Sequence, residues 1–199
     1  MRAEPIRIDD AGDPRIAGYR AIRERDLVGR EGRFVAEGKV VLNVLFSARR
    51  FEAESALILD RRLGGMADTL ALARPDMPVY VASQEVMDAI AGFHIHRGVL
   101  ALGLRRGDED ADALLAGLPD DALVVALSGI SNHDNAGAIF RNAAAFEADA
   151  VLLDAACCDP LYRKAIRVSV GAALKVPFAV PGDEEALFAA LARNGFAQI

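Results

Sequence analysis

Two α/β domains in tandem are what the sequence predicts, on three observations. Short apolar runs of strand length alternate with amphipathic stretches from residue 34 to residue 104, a pattern that packs as layered strands and helices. An acidic stretch holding Gly107, Gly117 and Pro119 then interrupts the alternation over residues 105–120, as a connection between domains does. At Ala122 the alternation resumes with an apolar run, a polar turn and a helix start. A chain of 199 residues is long enough for two small cores.

The first domain, residues 1–104, opens with a short helix and a basic loop over 14–32, because Pro14 suits a first helical turn. Phe34-Val35-Ala36 reads as a strand. Residues 38–48 place Val40, Val41, Val44 and Leu45 at helical spacing. Strands follow at 55–59, 79–82 and 98–104. Helices are expected at 66–73 and at 84–91, the latter capped by Ser83. Residues 105–120 are expected to be an acidic linker with one weak helix at 111–116.

The second domain, residues 121–199, starts on Val124 to Leu127, an apolar run suited to a strand buried on both faces. Asp134 or Asn135 is the expected N-cap of the next helix, and Ile139, Ala143 and Phe146 at i, i+4 and i+7 mark its buried side. Arg141 lies about 200° from Ile139 at roughly 100° per residue and should turn away from the core. A strand at 150–153 follows. Asp159 and Pro160 form an N-cap and N1 pair for a helix carrying Leu161, Ala165 and Val168 inward, with Arg163 and Arg167 on one side. Residues 176–180 form a strand, Asp183 caps a helix over 184–192, and Phe196 to Ile199 should begin another strand.

Composition sets limits on function. The chain is 53% hydrophobic and 26% charged, without tryptophan. No apolar run reaches bilayer length, and the N-terminus has no apolar segment of a secretory signal. Cys157 and Cys158 are adjacent, a poor geometry for a disulfide, so a reducing cytoplasm is the expected setting and both should be buried small residues. A net charge of −6 weighs against a polyanionic partner, yet much of the acidity falls between Asp108 and Asp121. One basic island holds Arg15, Arg20, Arg23, Arg25, Arg30, Arg33 and Lys39. A second holds Arg163, Lys164, Arg167 and Lys175, with no acid between Pro160 and Gly182.

Most candidate chemistry is weak. His94 and His96 have no third ligand nearby, so no metal is expected. His133 beside Asp134 suggests a pair, but neighbours in a turn seldom face each other. The segment SGISNHDNAG contains neither GxGxxG nor GxxxxGK[ST]. Asn135, Gly137 and Arg141 remain. They are either a cap, an accommodating glycine and a solvated arginine, or a helix start and guanidinium that meet an anionic group such as a phosphodiester.

The segment NAGAIFRNAAAF, residues 135–146, resembles the first signature (Asn-x-Gly-x-x-x-Arg) of the SpoU-type RNA ribose methyltransferases of the SPOUT superfamily. DPLYRKAIRVSVGAALKVPF, centred on Ser169-Val170-Gly171-Ala172, is similar to the segment that follows in those enzymes. FVAEGKVVLNVL and HRGVLALGL resemble the small RNA substrate-binding domain often fused ahead of the catalytic one.

The resemblance implies a small N-terminal α/β RNA-binding domain followed by a deep-knotted α/β methyltransferase domain acting as a homodimer. It implies 2′-O-methylation of a ribose in ribosomal or transfer RNA, with S-adenosylmethionine as donor; from the residues alone, neither a metal nor a membrane partner is expected. Arg141 is the implied catalytic arginine and Asn135 its companion. Arg23, Arg25, Arg30, Arg33, Arg163, Lys164 and Arg167 are the expected RNA contacts. The family's Gly-x-Glu-x-x-Gly loop and Ser-Leu-Asn segment do not occur after Val180. The methyltransferase domain is therefore expected to be C-terminally incomplete, and no donor-binding residue is carried over. The alternative is a non-catalytic RNA-binding protein that keeps the scaffold.

Overall fold

A computed structural model of the chain describes residues 4–20, 31–91 and 98–199. Arg23, Arg25, Arg30, His94 and His96 lie outside the described residues. The chain divides into two compact units, Met1–Arg106 and Gly107–Ile199.

The first unit holds a five-stranded sheet of β1 (Ile6–Ile8), β2 (Arg33–Glu37), β3 (Glu52–Leu59), β4 (Val79–Ala82) and β5 (Val99–Leu104), in the order β1-β4-β3-β5-β2. β1 and β3 run parallel to β4, while β5 is antiparallel to β3 and β2. Its helices are α1 (Lys39–Ala48), α2 (Ala67–Leu72) and α3 (Gln84–Ala91). The expected cap of α3 is present, with the Val86 amide donating to Ser83 Oγ at 3.3 Å. The helix expected from Pro14 is one 3-10 segment, Pro14–Tyr19, capped by Asp13.

Two features of this unit depart from the expected pattern. β1 is absent from the sequence reading, because three residues are too few to display alternation. In α1 the core side is Val41, Leu42, Leu45 and Phe46, whereas Val40 is 57% exposed. Leu42 and Phe46 remove more apolar surface from water than the valines would, and they set the rotation of the helix. The Gly103 position lies over the ring of Phe34, where a Cβ would collide with it. That leaves Phe34 fully buried, edge-on to Phe51 at 5.2 Å.

The second unit holds three parallel strands, β6 (Val124–Leu127), β7 (Ala150–Asp154) and β8 (Phe178–Gly182), with β7 in the middle. All five residues of β7 are buried. β6, expected to be covered on both faces, stands at the sheet edge, and Leu127 is its one buried residue. Helices α4 (Ala111–Ala116) and α7 (Glu184–Arg193) pack Leu115, Leu187 and Leu191 against Leu152 and Ala179. On the opposite strand faces Phe140 of α5 (His133–Ala145) meets Phe178 edge-on at 5.7 Å.

Residues 105–120 are therefore not simply a linker. Asp110 caps α4 through the Ala113 amide at 2.8 Å, and Asp112 accepts from Arg193 and Asn194 at 2.9 and 2.7 Å. Acidity at α4 serves as a cap and a tie to α7, while Ala111 and Leu115 face the core. The strand expected at 196–199 does not form. Phe196 instead folds back against the α4–α7 cluster.

Candidate active site

The candidate residues sit on α5 and on α6 (Arg163–Val168), the helices that leave the carboxyl ends of β6 and β7. In open α/β sheets that edge is where ligands bind. The cap of α5 is Asn132, neither Asp134 nor Asn135. Asn132 keeps an extended backbone, and its Oδ1 accepts from the amides of Asp134 and Asn135 at 2.8 and 3.2 Å. Asn135 thus lies within the first turn, with an exposed side chain.

The buried stripe of α5 is Ala136, Gly137, Phe140 and Ala143. Ile139 is only partly buried. Phe146, expected inward, is 76% exposed. The helix ends at Ala145, and Phe146 is its C-cap, with an amide that donates to Asn142 O at 2.9 Å. Its side chain consequently leaves the stripe.

Gly137 explains how α5 and α6 approach so closely. A Cβ there would stand 2.7 Å from the Ala165 carbonyl oxygen and 2.8 Å from Val168 Cβ. Arg141 follows one turn later, so it projects beside the helix-packing side. It is exposed, in line with its spacing. Neither Arg141 nor Arg167 has a hydrogen bond or ion pair among the described residues.

The start of α6 also differs from expectation. Asp159 organises a preceding turn, its Oδ1 accepting from Leu161 N at 2.8 Å, and Tyr162 takes the N-cap position. Leu161, Ala165 and Ile166 are buried, whereas Val168 is only partly so. Lys164 reaches across to Asp134 at 2.6 Å, a half-exposed pair that links the first turns of both helices and adds little stability. His133 rests edge-on to Tyr162 at 4.5 Å, so the His133–Asp134 pair does not form.

Packing of α5 on α6 brings the Asn135–Arg141 motif beside the helix that bears Arg163, Lys164 and Arg167. Arg33 belongs to the first unit, where its guanidinium donates to Glu54 at 2.8 and 2.9 Å and to Glu31 at 3.1 Å. Those carboxylates, Glu54 first, raise its pKa and take up part of its donor set.

Beneath the two helix starts lies Asp154, which the sequence reading does not single out. Its one signal is an acid closing a fully apolar strand. Asp154 is 4% exposed. Burial opposes its ionisation, but hydrogen bonds from Cys157, Ser128, Gly129 and Ala156 outweigh it and hold the carboxyl below the usual range. Cys157 and Cys158 are half-buried free thiols, more than inert filler. Cys157 Sγ accepts from Ile130 N at 3.3 Å and lies 3.4 Å from Leu127 O as a donor. Burial, with Asp154 also contributing, raises the Cys157 pKa; burial and then Cys157 raise that of Cys158.

Among the described residues no cluster of three metal-ligating side chains occurs, and no helix is long and apolar enough to cross a membrane.

Residues 122–199 match the family model of the SpoU rRNA Methylase family. Over 191 residues, 94% of this chain, the sequence is 39% identical to an uncharacterized tRNA/rRNA methyltransferase of Mycobacterium tuberculosis and covers 64% of it. It is 34% identical over 113 residues to a 23S rRNA (guanosine-2′-O-)-methyltransferase of Acinetobacter baylyi, covering 55% of this chain and 45% of that protein. The fold matches an AdoMet-bound rRNA methyltransferase of Sinorhizobium meliloti with a TM-score of 0.73 at 18% identity, over 94% of this chain and 69% of the other. An RNA 2′-O ribose methyltransferase matches with a TM-score of 0.68 at 23% identity, over 95% and 70%. The chain spans 64% of the length of the Mycobacterium bovis and Mycobacterium tuberculosis relatives it matches.

Proposed function

We propose, from the match of residues 122–199 to the SpoU rRNA Methylase family model, that the chain belongs to that family and that the protein methylates a ribose 2′-hydroxyl of ribosomal or transfer RNA. The observation that supports this most is Arg141. It is an exposed guanidinium without a partner among the described residues, placed by the Gly137 contact beside a helix whose own cations are Arg163, Lys164 and Arg167.

A ribose hydroxyl is a weak nucleophile, so it has to be oriented and its developing negative charge stabilised. Arg141 does both through a forked set of donors and grips the adjacent phosphate. It is not the base, because a guanidinium stays protonated in proteins. Asn135, about 1.7 turns earlier at 3.6 residues per turn, offers an amide to the same RNA segment at the start of the helix. Arg163, Lys164 and Arg167 hold the backbone without reading sequence. Arg23, Arg25 and Arg30 are further RNA contacts in this reading, and the first unit is the substrate-binding domain.

The donor in this reading is S-adenosylmethionine, which supplies an electrophilic methyl group on sulfur. The polar groups at the ends of β6 and β7 are committed to one another through Asp154. No residue of this chain is assigned to hold the donor.

We further propose that the protein works in the cytoplasm as a homodimer. The exposed apolar side chains of Phe146 and Val170 in the second unit support a second copy covering them, and a monomer at all concentrations by sedimentation would refute it. The catalytic reading is tested by transfer to ribosomal and transfer RNA with Arg141→Ala. Loss of a single donor to a developing oxyanion lowers kcat by about 100- to 1000-fold. RNA binding without any transfer by the unaltered protein favours a non-catalytic RNA-binding role instead.

A further inference from the structure

Beyond the arginine helix, the least expected feature of the second unit is what both oxygens of Asp154 do. Oδ2 accepts from Ser128 Oγ at 2.8 Å and from Gly129 N at 3.0 Å. Oδ1 accepts from Ala156 N at 3.0 Å and Cys157 N at 2.9 Å. The first pair of donors belongs to the connection between β6 and α5, and the second to the connection between β7 and α6.

Neighbouring bonds continue the same seam. Ile130 N donates to Cys157 Sγ at 3.3 Å, and Cys158 N donates to Ile130 O at 2.8 Å. Gly129 takes a positive φ of 67°, which a glycine adopts without strain and which lets its amide reach the carboxylate. Ser131 alone separates Ile130 from Asn132, so the held segment runs almost directly into the cap of α5. A buried carboxylate is costly unless its lone pairs are satisfied, and here four donors satisfy them.

We propose that Asp154 is the positioning residue of this site: its carboxylate clamps the two connections together and so fixes the start of α5, with Asn135 and Arg141, against the start of α6, with Arg163 and Arg167. The inference rests on the methyl-transfer reading for its catalytic consequence, but the clamp stands on its own geometry. Both oxygens of the buried Asp154 carboxylate are taken up by protein donors, so its part is to hold the two connections. Four bonds on one carboxylate also explain why an acid ends an otherwise apolar strand. Asparagine, of the same shape, replaces one acceptor oxygen by an NH2 group that cannot accept, so one of the two connections must lose its partner.

The test combines amide hydrogen exchange with steady-state methyl transfer from S-adenosylmethionine to ribosomal RNA, on the unaltered protein and on Asp154→Asn and Ser128→Ala. In Asp154→Asn, exchange at Gly129, or at Ala156 and Cys157, should quicken by at least about tenfold as the local opening becomes easier, while the β7–β8 ladder keeps its protection. kcat should fall by about 10- to 100-fold, as misplacement of a catalytic group does, with KM for RNA within about twofold. Unchanged exchange at all three amides would overturn the clamp. Faster exchange with an unchanged kcat, or a loss confined to KM, would overturn its positioning role. Should Asp154→Asn fail to fold, Ser128→Ala decides: it removes one donor only, and Gly129 exchange and kcat should each change a few-fold. No change in either overturns the proposal. Absence of transfer by the unaltered protein, alongside the expected exchange pattern, sinks the methyl-transfer reading and leaves the clamp supported.

Discussion

Gly137 does its work by having no side chain. An added Cβ would meet the Ala165 carbonyl oxygen at 2.7 Å and Val168 Cβ at 2.8 Å. The first is backbone and has no rotamer by which to move away. Gly137→Ala should therefore push α5 off α6 and cost about 1–3 kcal/mol, the range for overpacking a well-packed contact. Urea denaturation reads this directly, and an unchanged midpoint would mean that the helices are free to shift. The Asn-x-Gly-x-x-x-Arg spacing thus has a physical meaning here: the glycine admits the neighbouring helix, and the arginine emerges one turn beyond the contact. Its outward direction is legible from the 3.6-residue period. The cap is not, because Asn132, Asp134 and Asn135 are all good capping residues, and only the extended backbone at Asn132 decides among them.

For the secondary-structure elements, legibility follows length and burial on both sides. β4 and α3 stand at the residues expected from their apolar runs and the Ser83 cap. β1 is illegible because three residues carry no period. α4 reads as a weak helix within a linker because its charged neighbours dominate the composition, yet Leu115 is buried against Leu152, Leu187 and Leu191. This makes α4 part of the second unit's core. Leu115→Ala should destabilise that unit by about 2–4 kcal/mol, the usual cost of emptying a buried leucine site. A change below about 0.5 kcal/mol, typical of surface positions, would return α4 to the status of a linker. Asp154 escapes notice for a related reason. One acid after an apolar strand looks like an ordinary strand end until its four donors, from two separate connections, are seen together.

The two units carry opposite balances of charge. Residues 107–199 hold fourteen acidic and six basic side chains, and five of the six, Arg141, Arg163, Lys164, Arg167 and Lys175, fall between residues 141 and 175. A net charge of −6 is therefore compatible with an RNA partner, since cations grouped at one place neutralise phosphates whatever the total. The first hundred residues hold the longer basic island, in which Arg33 is paired with Glu54 and Glu31.

Transfer of a methyl group to a ribose oxygen is read from the position of the label in the product. Ribosomal and transfer RNA are incubated with the protein and labelled S-adenosylmethionine and then hydrolysed in alkali. Label is expected in alkali-resistant dinucleotides, because a 2′-O-methyl group blocks cleavage at its own phosphodiester, and is expected to be lost with Arg141→Ala. Label on a base, or undiminished ribose labelling by Arg141→Ala, would contradict the proposal.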